Sequence, residues 1–284
     1  MESTPRKVRD IIEPQIVMEG AGVRLKGSIA TRTLDHLDPF LLFDHFGSNE
    51  PRDYIKGFPM HPHRGIETVT YMIEGAVDHK DSMGNAGSIG TGDVQWMTSG
   101  RGIMHEEMPQ PNPDEMIGFQ LWVNLPAKLK MTEPRYQNIA SDQIPEITRN
   151  DGVKIRLIAG EVDGVRGPVT EISADPTYLD VSVPANTSFT HTVEMGHTVF
   201  VYVFEGEGKF GEKRDATVIS CPRLIVLGNG GFIEAHSTDH HVRFLMVSGK
   251  PLNEPIARYG PFVMNTQEEI QQALEDLRNG TFVK

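Results

Sequence analysis

Two short segments of the chain hold the residues that could do chemistry. His61 and His63 stand two positions apart, and His105 and Glu107 stand two positions apart further along. On a β-strand, side chains at i and i+2 point to the same face, so each segment can aim two ligands at one point. Three imidazoles and a carboxylate without a thiol suit Fe(II), Mn, Ni, Cu or Zn rather than a cysteine-based structural zinc. An octahedral ion held by four such groups would keep two positions for water, O₂ or substrate.

The identity of the carboxylate ligand is open at this point. Glu67 follows His63 by four positions and has the strand parity of His61 and His63, whereas Glu107 has the parity of His105. Glu106 is predicted to point to the opposite face of a regular strand. Periodicity alone does not decide between Glu67 and Glu107.

The other polar residues near these segments have structural interpretations. Arg64 and Arg101 lie beside the two ligand pairs and are expected to form ion pairs with Glu or Asp. Cys221 is expected to be buried rather than nucleophilic, because nothing nearby marks an activated thiol. The later histidines do not repeat the His-x-His spacing, so no second metal is expected in that half: His191, His197, His236, His240 and His241.

Strands are needed to position these ligands, and the sequence predicts two β-rich halves. Short β-branched and aromatic runs separated by glycine turns are typical of sandwiches and barrels. The predicted strands are Leu41–Phe43, Glu67–Ile73, Val94–Met97 and Gly118–Val123 in the first half, and Val153–Ile158, Thr177–Val183, Thr198–Phe204, Ala216–Ser220, Leu224–Leu227, Gly231–Ala235 and Arg243–Ser248 in the second. The segment 235–241 is predicted to be a loop, and Pro126–Asn150, rich in proline and polar residues, a linker or crossover.

One amphipathic helix is predicted near residue 270. Thr266 and Glu269 match a capping box, and apolar residues follow at helical spacing. These are Ile270, Ala273, Leu274 and Leu277, and Gly280 is placed as a stop signal.

The composition limits the class of protein and its partners. The chain has 284 residues, 38% of them hydrophobic, and a net charge of −12, which disfavours direct contact with nucleic acid or an anionic membrane. No signal peptide and no apolar run of about 18–20 residues is visible. The single cysteine excludes an internal disulfide and fits a reducing compartment. We therefore expect a cytoplasmic protein, or also a nuclear one in a eukaryote, and a monomer.

The motifs around the ligand pairs resemble those of a known family. The spacing of His61 and His63 followed by Gly102-Ile103-Met104-His105 matches the general pattern of cupin barrels. The longer runs, from 57 to 109 and from 249 to 266, are similar to the pirin family of bicupins. The resemblance extends over almost the whole chain.

This resemblance implies an all-β fold of two cupin-type β-barrels with a C-terminal α-helix. We place an N-terminal metal-binding cupin domain at residues 1–135 and a C-terminal cupin domain, without metal and ending in the helix, at 136–284. The resemblance also implies His61, His63, His105 and Glu107 as ligands of one divalent ion, with Fe(II) the usual metal and Mn, Ni, Cu or Zn as alternatives. Glu67 would then stand behind the ligands and orient one of them or a water.

The implied activity is that of a quercetin 2,3-dioxygenase, which opens flavonols with O₂. In this hypothesis Glu107, or Glu67 behind it, acts as the general base. The substrate would be a flavonol or a related enol. The alternative is a non-enzymatic, iron-dependent redox sensor that binds a protein partner, either a transcription factor or a metabolic enzyme.

Overall fold

The computed structural model describes residues 4–211 and 217–283. The strands of the first half of the chain are β1 (Val8–Ile12), β2 (Gln15–Glu19), β3 (Val23–Ile29), β4 (Phe40–Ser48), β5 (Phe58–His63), β6 (Ile66–Glu74), β7 (Val77–Asp81), β8 (Ala86–Ile89), β9 (Val94–Thr98), β10 (Ile103–Pro109), β11 (Met116–Asn124) and β12 (Arg135–Ile139). Those of the second half are β13 (Glu146–Thr148), β14 (Lys154–Ala159), β15 (Glu161–Val162), β16 (Val165–Arg166), β17 (Thr177–Val183), β18 (Ser188–Thr192), β19 (Thr198–Phe210), β20 (Val218–Ser220), β21 (Arg223–Leu227), β22 (Phe232–Gly249), β23 (Ala257–Tyr259) and β24 (Phe262–Met264). The helix α1 spans Gln267–Arg278.

The chain forms two compact β units, and each contains one of the two predicted cupin-type barrels. The first unit comprises Gln15–Ser141 and Leu252–Lys284, and the second comprises Met1–Pro14 and Asp142–Pro251. The units therefore do not follow the predicted division between residues 135 and 136. Each unit takes a segment from the other half of the chain. No helix within the described residues is long and apolar enough to cross a lipid bilayer.

The first unit consists mainly of two antiparallel sheets. Seven strands lie in the order β12-β9-β6-β11-β4-β3-β2, and four lie in the order β5-β10-β7-β8. β6 lies inside the larger sheet, and its sequence from Ile66 to Tyr71 is buried on both faces. A cluster of buried apolar side chains, which includes Phe46, Met72 and Val77, lies within this unit.

The predicted helix is confirmed, but it does not lie with the C-terminal barrel. Thr266 accepts a hydrogen bond from the backbone N–H of Glu269, whose side chain completes the capping box. Ile270 and Ala273 pack in an apolar cluster with Phe262 and Phe282, inside the first unit. The amphipathic pattern predicted that the helix has a buried face, but it could not tell which barrel covers that face.

The second unit is a barrel whose interior is filled with side chains. Its main sheet follows β1-β21-β19-β22-β17-β14-β13, with β18 beside β22 and β20 beside β19. A continuous cluster of buried Val, Ile, Leu and Phe residues lies inside it, Phe189 and Phe244 among them. The predicted strand at 216–220 is present from Val218, and Ala216 lies outside the described residues.

Two predictions for the second unit are corrected. The segment 235–241 is not a loop, because Phe232–Gly249 is one long strand. Its pairing with β19 shifts register near Gly206 and Gly208, which lets a single strand continue through an exposed polar stretch. Cys221 is exposed rather than buried, because it lies in the short connection between β20 and β21.

Candidate metal centre

Strand β10 shows the expected alternation of side chains. His105 and Glu107 are buried, with 1% and 8% of their surface exposed, whereas Glu106 lies on the other face. There, Oε1 of Glu106 is 2.9 Å from Nζ of Lys80. The predicted orientation of Glu106 away from the ligand face is thereby confirmed.

Strand β5 runs antiparallel beside β10 and brings its two histidines to the same point. His61 pairs with His105 in register, and His63 pairs with Ile103. One ring nitrogen from each of His61, His63 and His105 lies within 4.8 Å of the others. We call these three residues the histidine cluster. Nε2 of His61 is 3.0 Å from Nε2 of His63, a spacing near that of adjacent ligands around an octahedral ion with bonds of about 2.1 Å.

The hydrogen bonds of the histidine cluster leave nitrogen atoms for a further partner. Nδ1 of His61 is 3.0 Å from the carbonyl of Pro59, and donation there leaves Nε2 with its lone pair. Nδ1 of His63 and both ring nitrogens of His105 have no hydrogen-bond partner among the described residues. A buried polar atom without a partner costs free energy, and a metal ion would provide one.

The electrostatics around His63 and His105 favour the neutral, metal-binding form of these two imidazoles. Burial, then the proximity of His105 and His61, lowers the pKa of His63 well below its ordinary value. Burial, followed by His61, lowers the pKa of His105 to about 3. Only a neutral imidazole offers a nitrogen lone pair, so the cluster is suited to a divalent metal ion.

Glu107 lies beside the histidine cluster with its two carboxylate oxygens in different surroundings. Oε1 is 3.0 Å from the hydroxyl of Thr70, and Oε2 is 4.0 Å from Nε2 of His105. Burial raises the pKa of Glu107. Its role as the fourth ligand stays a prediction.

Glu67, the rival to Glu107, lies on the other face of β6. It pairs with Thr98 across the strands, and its Oε1 accepts a hydrogen bond of 2.8 Å from the Thr98 hydroxyl. Thr70, which faces Glu107, has the opposite parity on the same strand. Glu67 therefore does not stand behind the proposed ligands, contrary to the expectation from the resemblance. The chain turns between β5 and β6 at Gly65, with φ +81°, so the strand parity of His61 and His63 does not continue to Glu67.

The substitution Glu67→Gln is expected to make the protein less sensitive to pH. Burial raises the pKa of Glu67 to about 7, so its charged form is unfavourable in the folded state. The contribution of Glu67 to the free energy of unfolding of the wild type should therefore fall as the pH rises from the ordinary pKa of a glutamate towards about 7. Between about pH 5 and about pH 8, the free energy of unfolding of the variant should rise by about 2–3 kcal/mol relative to that of the wild type.

Urea unfolding at the two pH values measures this difference. Glu74→Gln, on an exposed residue of the same strand, is the matched control and should show the same small effect at both pH values. Equal behaviour of the two variants would contradict a raised pKa at Glu67.

The sequence interpretation missed His79, which lies on the same face as Glu107. His79 pairs with Glu107 in register between β7 and β10, and it is 7% exposed. Its Nε2 is 3.0 Å from Nε2 of Gln95, and burial lowers its pKa. The residue types of β7 do not alternate between apolar and polar, so only the structure shows that Val77, His79 and Asp81 all point inward.

The histidine cluster borders a cavity of about 670 Å³ inside the first unit. This volume is within the usual range of small-molecule sites. Apolar side chains form most of its wall, including Leu25, Ile29, Phe58, Val77 and Trp122. The ring of Trp122 meets that of His63 edge to face, with 5.1 Å between centroids. The centre is therefore beside a space that an aromatic molecule could fill.

Polar side chains cross one wall of this cavity in a row. Asp44 of β4 pairs with Gln120 of β11, and Gln120 pairs with Thr70 of β6. We call Asp44, Gln120 and Thr70 the polar row. On the same face, the neighbouring rows are largely apolar: Leu42, Trp122 and Thr68 on one side and Phe46, Gly118 and Met72 on the other.

Comparison with known proteins places the chain in a family. The sequence profile of Pirin matches residues 22–123, and that of the Pirin C-terminal cupin domain matches residues 178–283. The chain belongs to the pirin family. It is 41% identical over 278 residues to a pirin-like protein of Caulobacter vibrioides, covering 98% of this chain and 99% of that protein. It is 42% identical over 264 residues to human pirin, covering 92% of this chain and 88% of that protein.

Solved structures share the fold of this chain. A quercetin 2,3-dioxygenase from Acinetobacter baumannii has a TM-score of 0.89 and 36% identity, covering 98% of this pirin-family chain and 99% of that one. A bacterial pirin from Escherichia coli, in complex with nickel(II), has a TM-score of 0.66 and 18% identity, covering 85% and 99%. The latter likeness concerns the fold alone. The predicted family and the two-barrel fold are confirmed.

Proposed function

We propose that this protein is a metal-dependent dioxygenase that opens flavonols such as quercetin. The observation that carries the proposal is the histidine cluster, in which the buried His63 and His105 have ring nitrogens without hydrogen-bond partners among the described residues, at the wall of a largely apolar cavity. His61, His63, His105 and Glu107 would hold one divalent ion, and we propose Fe(II). A bound ion of this kind is a Lewis acid that lowers the pKa of a coordinated hydroxyl group.

Glu107 is the general base in this proposal. Oε1 is 3.0 Å from the Thr70 hydroxyl, whose single proton can be donated either to Glu107 or to Gln120, and Oε2 is left to accept the proton of the substrate hydroxyl. Because burial raises the pKa of Glu107, the carboxyl group takes up and retains a proton more readily than an exposed glutamate. Glu67 is not proposed as the base, since it lies on the other face of β6.

The apolar wall would bind and orient a planar substrate and exclude water. Trp122 and Phe58 offer aromatic surface on the side of the histidine cluster. Burial of two or three aromatic rings supplies binding free energy without a specific polar contact. The walls of the cavity thus suit the flavonol class.

Aerobic turnover of quercetin by iron-reconstituted protein tests the proposal. We expect ring opening that depends on the metal and is absent from the His61→Ala protein. Full activity without metal would contradict the proposal. No turnover by protein that holds one metal ion would instead favour the iron-dependent redox sensor with a protein partner, because a sensor needs access for electrons but no cavity.

A further inference from the structure

The carboxyl group of Asp44 is a buried polar group to which the fold gives no partner. Asp44 lines the cavity and is 7% exposed. Among the described residues its carboxylate has neither a hydrogen bond nor an ion pair, and only charges at a distance act on it. Buried carboxylates are normally paired, since leaving one unpaired is costly in free energy.

The surroundings of Asp44 keep its carboxylate open to the cavity. Gly27 stands opposite it on β3, and a Cβ atom there would be 3.1 Å from Oδ1. Arg258, the cation whose charge acts on Asp44, donates through Nη1 to the carbonyl of Leu41 and lies over the Trp122 ring, 5.1 Å from its centroid. The guanidinium is therefore engaged elsewhere.

Gln120, beside Asp44 in the polar row, also has an unused group. Its Oε1 is 2.7 Å from the Thr70 hydroxyl. Its Nε2 donates to no residue in the described part of the chain. A ligand hydroxyl placed between Asp44 and Gln120 could bond to both, since directly paired residues have Cβ atoms about 4.5–5.5 Å apart.

We propose that Asp44 determines substrate specificity by binding a second hydroxyl group of the substrate, away from the histidine cluster. This inference rests on the proposed function. Asp44 is two strands away from Thr70, and neighbouring strands are about 4.8 Å apart, so the two side chains start about 10 Å apart. Thr70 contacts Glu107 beside the histidine cluster, so a molecule reaching both ends must be elongated.

The charge state of Asp44 supports this role. Burial, and then the negative charge of Glu19, raises the pKa of Asp44 to about 7, against an opposing effect of Arg258. Near neutral pH the carboxyl group can therefore either accept or donate a hydrogen bond. The substrate class that follows is a planar aromatic compound with hydroxyl groups at both ends rather than one with a single metal-binding hydroxyl.

Binding of two flavonols tests the inference. Quercetin carries hydroxyl groups on all its ring systems, and 3-hydroxyflavone carries only the one expected at the metal. Dissociation constants are measured anaerobically with iron-loaded protein, so that no turnover occurs. The Asp44→Leu protein should bind quercetin about 10–100-fold more weakly than the wild type, and 3-hydroxyflavone within about twofold.

The isosteric variant Asp44→Asn separates this role from a folding defect. It preserves the shape of the side chain, so it should fold like the wild type and lose quercetin affinity selectively but less than Asp44→Leu. Asp114→Leu, at an exposed position outside the cavity, is the control and should leave both affinities unchanged.

The outcomes separate the two proposals. The inference would be overturned if the Asp44 variants lowered the affinity for both flavonols equally, or lowered neither affinity. Either result would leave the dioxygenase proposal in place. If the wild type binds neither flavonol, both proposals fall.

Discussion

The His105→Ala protein is expected to lose metal binding and, with it, quercetin turnover. His105 is almost fully buried, and neither of its ring nitrogens has a hydrogen-bond partner among the described residues. Loss of groups that only orient a ligand costs about 10–100-fold in metal affinity or activity, so loss of a ligand should cost more. Metal content per chain, measured after dialysis, should fall from one to near zero.

Stability provides a second measurement that does not depend on activity. A metal at a thousandfold excess over its Kd stabilises the folded state by about 4 kcal/mol, so Tm of the wild type should rise when metal is added. The His105→Ala protein should show no such rise. His240→Ala, an exposed histidine in the second unit, should retain it. A normal metal-dependent rise in Tm for His105→Ala would exclude His105 as a ligand.

The Glu107→Gln protein is expected to bind metal less tightly, because one of the four proposed ligands is altered, and to lose turnover even when iron saturates the site. The three imidazoles of the histidine cluster stay in place, but glutamine cannot take up the substrate proton. Loss of a general base lowers kcat by about 10²–10⁴. We expect this fall in kcat at saturating iron, with a smaller change in KM.

Glu106→Gln is the matched control for this experiment. It makes the same chemical change one position earlier on β10, and it removes only the ion pair with Lys80 on the opposite face. Its kcat should equal that of the wild type. Full turnover by Glu107→Gln would contradict the role as base, and a loss of metal affinity as large as that of His105→Ala would make Glu107 chiefly a ligand.

Local patterns in the sequence predicted the parts of this molecule that depend on local geometry. Period-two alternation separated Glu107 from Glu106, because both lie on one uninterrupted strand. The capping box located the start of α1, because its hydrogen bonds join residues three positions apart. Arg64 and Arg101 were expected to pair with carboxylates, and they do, but the sequence did not identify their distant partners, Asp276 and Glu133.

Features that depend on pairing between distant strands could not be predicted. The parity argument failed for Glu67, because a turn at Arg64 and Gly65 separates it from the histidines of β5. The polar row becomes visible only when the register between β4, β11 and β6 is known. The unit against which α1 packs could not be predicted for the same reason, since the contacts of the helix join residues far apart in the sequence, such as Arg64 and Asp276.

The discontinuity of the first unit has a consequence for the order of events during synthesis. Arg64, next to the proposed ligand His63, forms an ion pair with Asp276, which emerges from the ribosome only after the whole of Asp142–Pro251 has been made. At translation rates of about 5–20 residues per second, the nascent histidine cluster waits about 5–20 s for the segment that completes its unit. We therefore expect stable binding of the proposed metal only after this segment has been made, so that it depends on translation time as well as on metal supply.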